Sequence, residues 1–109
     1  EFKVSPVALK TIAGIAALKV EGVASLAGGV VESVTDWLSK KDIRGIHVTI
    51  KNSDIFVDMH LSLKYGRVIR EIAQNAQVQV RDALEGMLGK EVKQVNVFID
   101  NIYFEESNL

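Results

Sequence analysis

Between Ile46 and Lys64, apolar and polar side chains alternate along two stretches, Ile46 to Lys51 and Ile55 to Lys64, separated by Asn52-Ser53-Asp54. Successive side chains on a strand point to opposite faces, so a slip of one residue moves every apolar group to the wrong side. A two-residue turn at Asn52-Ser53 brings both apolar sets together, pairing Ile50 with Ile55, Val48 with Val57 and Ile46 with Met59. A three-residue turn mixes the faces. The favoured register sets His47 opposite Asp58 and Thr49 opposite Phe56 on the outer side, with His60 farther along it. Val95, Val97 and Ile99 alternate with Gln94, Asn96, Phe98 and Asp100 in the same way and predict a third long strand.

Helical signals flank the hairpin. Ser5-Pro6 offers an N-cap hydroxyl followed by a ring suited to the first helical position, after a short strand-like stretch at Phe2-Lys3-Val4. From Val7 to Val20 apolar residues run nearly all the way round, so that helix must be covered on more than one side. Ala13, Gly14, Ala16 and Ala17 leave room for another backbone, either from a second subunit at Gly14 or from the chain's own sheet. Glu21-Gly22-Val23-Ala24 reads as the break after this helix and Gly28-Gly29 as a bend. Val30, Val34, Trp37 and Leu38 fit a short amphipathic helix, and Ser39 to Asp42 a solvated connection. From Arg67 onward Ile69, Ile72, Ala73, Ala76, Val80, Ala83, Leu84 and Met87 keep three- and four-residue steps, and Gly89 sits where a helix ends. The other face of that helix, with Arg70, Glu71, Gln74, Gln77, Arg81, Asp82 and Glu85, is expected to meet water. Residues 105–109 read as a frayed terminus. These elements predict an α+β fold of two layers, a largely antiparallel sheet with helices packed on one face, in one domain over residues 1–109.

The chain of 109 residues can bury roughly two-thirds of the surface that its unfolded form exposes, enough for a core. With no cysteine it has no thiolate nucleophile, disulfide or cysteine-ligated metal, which fits an intracellular home. Thirteen basic and fourteen acidic residues give a net charge of -1, without the basic excess of a nucleic-acid binder. Lys10, Thr11, Lys19 and Glu21 interrupt the most apolar stretch well short of the ~20 residues that span a bilayer, so no direct membrane insertion is expected. No signal-peptide pattern opens the sequence.

Chemistry-bearing motifs are scarce. Gly28-Gly29 lacks both the Lys-Ser/Thr ending of a P-loop and the spacing of a dinucleotide fold, so a phosphate cradle is the weaker reading. Gly86-Met87-Leu88-Gly89 matches the GxxG of some RNA-binding modules in form only, since its middle residues are apolar and Gly89 is accounted for by helix termination. His47, His60 and Asp58 share the outer sheet face, where they form either a zinc site or a surface histidine–carboxylate pair; neither a third histidine nor a pocket-forming loop supports the metal reading. Phe56 and Phe98 also carry outward parity among polar neighbours. They make either an apolar island for a partner or two isolated exposed aromatics. No nucleophile elbow, Ser-His-Asp order or catalytic carboxylate spacing occurs, so no enzyme activity is expected.

Phe2-Lys3-Val4-Ser5-Pro6, Ile12-Ala13-Gly14-Ile15-Ala16-Ala17, Val20-Glu21-Gly22-Val23, Gly28-Gly29, Tyr65-Gly66 and Val95-Asn96-Val97, in this order, resemble the alkaline shock protein family of Gram-positive bacteria, also called the envelope stress response family. The resemblance covers nearly the whole chain. Arg70 stands where related sequences often carry proline. What the resemblance implies is a non-enzymatic cytoplasmic protein of cell-envelope homeostasis, with no catalytic residues and no cofactor. It also implies self-association into a homo-oligomer and attachment to the membrane through a small integral membrane protein. Other members imply a link to acetyl-CoA carboxylase subunits and fatty-acid synthesis. The leading expectation is an adaptor or scaffold; a carboxylase regulator and an RNA-binding module are the alternatives.

Overall fold

The computed structural model describes residues 3–26 and 44–104. The expected bend at Gly28-Gly29, the short helix from Val30 to Leu38, the connection at Ser39 to Asp42 and the terminus at 105–109 lie outside them, as does Phe2.

Helix α1, Pro6–Leu18, begins as its local chemistry dictates: Ser5 is extended, its Oγ accepts the Ala8 N–H at 3.2 Å, and Pro6 occupies the first turn. Leu9, Ala13, Gly14 and Ala17 are buried, and α1 packs on strands β1 (Val23–Leu26) and β2 (Ile46–Lys51) and on the second helix α2 (Ile69–Leu88). The all-round apolar character is thus explained by cover on two sides. Lys3 and Val4, expected to begin a strand, have no regular structure.

Glu21 to Ala24 is more than a helix break, because β1 starts at Val23 and pairs antiparallel with the end of β3 (Asp54–Lys64) across a bulge at Ala24. Strand β2 pairs antiparallel with the first half of β3 in the expected register, Ile50 to Ile55, Val48 to Val57, Ile46 to Met59 and His47 to Asp58. Asn52 and Ser53 both adopt positive φ, 53° and 69°, the signature of the two-residue turn whose twist matches a hairpin. Strand β4, Gln94–Tyr103, lies along β3 from Phe56 to Lys64 and is parallel to it, so the strands do not form a simple meander; α2 makes the crossover. Because β4 takes one edge of β3, β1 and β2 share the other, end to end.

Among the described residues two of the three ladders are antiparallel, and α1 and α2 lie on one face of the sheet, giving the two-layer α+β architecture. Ile55, Val57, Met59, Leu61 and Leu63 of β3 meet Ile72, Ala76, Val80 and Leu84 of α2 and the buried stripe of α1 in one core. Helix α2 starts at Val68 without a side-chain cap and stops at Gly89, whose left-handed φ of 66° lets its N–H reach the Glu85 carbonyl. Ile69 and Met87, assigned by spacing to the core stripe, are 42% and 41% exposed at its two ends. Conversely, two polar residues expected to face water hold the helix to β4: Gln77 Nε2 donates to the Val95 carbonyl at 3.1 Å and Glu85 accepts the Val92 N–H at 2.8 Å. Among the described residues no helix is long and apolar enough to cross a membrane.

Candidate functional site

The face of the sheet away from the helices gathers most of the residues singled out in the sequence. The even-numbered positions Phe56, Asp58 and His60 project from β3; His47 and Thr49 rise from β2; and Gln94, Asn96 and Phe98 stand on β4. Alternation on a strand puts them there, because their odd-numbered neighbours on β3 are drawn into the core.

Their pairings differ from expectation. His47 stands opposite Asp58, but Asp58 Oδ1 accepts from Asn96 Nδ2 at 2.8 Å, and Gln94 in turn donates to Asn96 Oδ1 at 2.8 Å. The histidine–carboxylate pair is His60 with Asp100, whose two carboxylate oxygens both lie 3.2 Å from Nδ1. Asp100 reaches His60 because β4 inserts one extra residue between Ile99, opposite Leu61, and Asn101, opposite Ser62. Among the described residues no three His, Cys, Asp or Glu side chains gather as metal ligands.

The aromatic island also has other members. In the parallel register Phe56 faces Gln94 while Phe98 faces His60, so the two phenylalanines stand four residues apart along the strands, about 13 Å, with Asp58 and Asn96 between them. Instead, three rings form a row across the sheet. His60 stacks on Phe98 with centroids 4.8 Å apart and planes 16° apart, and His47 meets His60 edge-on at 6.3 Å. Phe98 ends the row at the β4 edge and is 47% exposed; Phe56 is half-buried. Beyond His60 along the strands, Ser25 and Ser62 oppose one another and are fully buried. Gly14 lies elsewhere, buried in α1.

Sequence reasoning missed Asn96 and Asp100 as members of this site. Their outward parity is visible in the alternation of β4, but their partners depend on which strand β4 joins and in which direction.

The segments Val20-Glu21-Gly22-Val23 and Tyr65-Gly66 converge at one end of the molecule. Arg67 pairs with Glu21, and the two turns line a surface cavity of about 390 Å³ with Lys64 and Tyr65. Tyr65 stacks on Phe104 at 4.4 Å, and its N–H donates to the Tyr103 carbonyl. This junction is built largely from structural contacts.

A model of the ASP23 family, described by a cell envelope-related function, matches residues 1–104. The uncharacterized protein YqhY of Bacillus subtilis (strain 168) is 28% identical over 106 residues, covering 96% of this chain and 78% of that protein. The uncharacterized protein Spy1614 of Streptococcus pyogenes serotype M6 is 31% identical over 97 residues, covering 86% and 80%. Among solved structures, a MamM variant superposes with a TM-score of 0.55 at 17% identity, over 91% of this chain and 99% of that one. The chain of MamM-CTD 215–293 gives 0.53 at 16%, over 87% and 96%. At such identity the likeness is one of fold.

Proposed function

This chain belongs to the ASP23 family, the alkaline shock protein family of cell envelope-related function, and on that footing we propose that it is a non-catalytic adaptor or scaffold. It works as one domain, by associating with further copies of itself and with protein partners through the outer sheet face. The observation that carries this reading is the ring row ending at Phe98. A large aromatic, 47% exposed among amides and carboxylates, is the kind of anchor that partner surfaces bury. A cytoplasmic location with attachment to the membrane through a small integral membrane protein accords with the family's envelope role.

Replacing both Phe98 and Phe56 by Glu tests the surface. Sedimentation velocity is expected to show loss of the self-associated species, and affinity isolation from separated membrane and soluble fractions to show loss of a small membrane protein, with the circular dichroism spectrum unchanged. Undiminished association of the double variant rules out this face. Recovery of carboxylase subunits in place of a membrane protein moves the function to metabolic regulation.

A further inference from the structure

Strand β4 closes one side of the sheet, and among the described residues no strand pairs with its outer edge. Such an edge is a template for another strand, and proteins usually guard it with lysine, proline or a very short length. From Gln94 to Tyr103 there is no Lys, Arg or Pro; the strand is ten residues long, and its single charge is Asp100. The ring row of His47, His60 and Phe98 runs out to this edge and stops at a half-exposed ring.

Resting on the self-association proposed above, we infer that the occupant of this edge is β4 of a second copy, paired antiparallel about a twofold axis at Phe98. Registers that keep outer residues on the outer face differ by whole steps of two, which leaves few choices. With the axis at Phe98, that residue faces itself and the row continues from one sheet into the next. Val97 then lies opposite Ile99 of the second copy, both at the margin of the core, and Asn96 lies opposite Asp100. The last pair is complementary. One N–H of the Asn96 amide is used by Asp58 and the second is free to donate to the facing carboxylate. An axis at Val97 sets Phe98 against Asn96, and one at Ile99 sets Phe98 against the Asp100 carboxylate. Only the axis at Phe98 matches ring with ring and donor with acceptor.

The absence of cysteine makes the test direct. Directly opposed residues in an antiparallel pair have Cα atoms about 4.5–5.5 Å apart, within disulfide reach. The full chain carrying both Val97→Cys and Ile99→Cys, which face one another across the axis and leave the Phe98 ring in place, is expected to form a disulfide-linked dimer under mild oxidation. Gln94→Cys, whose two copies are separated by more than about 20 Å along the strands, is not. In the cysteine-free chain Asn96→Asp, which faces carboxylate with carboxylate twice per dimer, is expected to raise the dimer dissociation constant by at least about tenfold. Asn96→Lys, which makes two opposite-charge pairs, is expected to lower it. Thermal melts of each variant establish that the fold is kept. A wild-type chain that stays monomeric in light scattering overturns the self-association reading itself. A wild-type dimer in which the chain with Val97→Cys and Ile99→Cys does not cross-link, or cross-links no better than Gln94→Cys, overturns the β4 pairing and leaves that reading standing.

Discussion

Gly22 carries two demands that no other residue meets together. Its φ of 99° is open to glycine at little cost, and a Cβ added there would stand 2.6 Å from Cδ1 of the buried Ile72 on α2. Gly22→Ala therefore combines backbone strain with overpacking. It is expected to destabilise the fold by about 3 kcal/mol, read as a lower urea midpoint. Ser53 is the opposite case. It holds φ of 69° in the hairpin turn, where glycine is the preferred residue, and its interaction with Lys90 is made through the backbone carbonyl. Ser53→Gly keeps that contact and relieves the strain, so a gain of about 0.5–1 kcal/mol is expected in the same unfolding measurement.

At the scale of elements, α2 is tied to β4 by more than its apolar stripe. The Glu85 carboxylate receives the N–H of Val92, a residue with no exposed surface, and so fixes the turn that delivers the chain into β4. Glu85→Ala leaves that N–H unpaired and is expected to cost about 1–3 kcal/mol, whereas Glu85→Gln keeps an acceptor and costs less; chemical denaturation of the two variants separates the cases. This tether also marks the boundary of what the sequence makes legible. The hairpin register could be read to the residue, because a period of two and a two-residue turn over-determine it. The end of α2 was equally plain from Gly89. Strand β1 was hidden: it is four residues long and carries a bulge at Ala24, too short and irregular for alternation to show. The parallel placement of β4 was hidden for another reason. The choice of edge depends on how α2 covers the sheet, a tertiary matter, and with it went the partners of His60, Asp58 and Phe98. The site was therefore legible as a face and illegible as a network.

The whole molecule is organised around β3, among the described residues the one strand paired on both sides. Its odd-numbered residues supply the middle of the core and its even-numbered residues the middle of the outer face, so core and candidate interface are two sides of the same backbone. Along one edge of β3, β1 ends at Leu26 opposite Leu61 and β2 begins at Ile46 opposite Met59, with the Gly45 carbonyl accepting the His60 N–H between them. The chain thus leaves the ladder and rejoins it two β3 residues farther on, about 7 Å away. In terms of tolerance to change, β1 and β2 are one edge strand cut at a splice point.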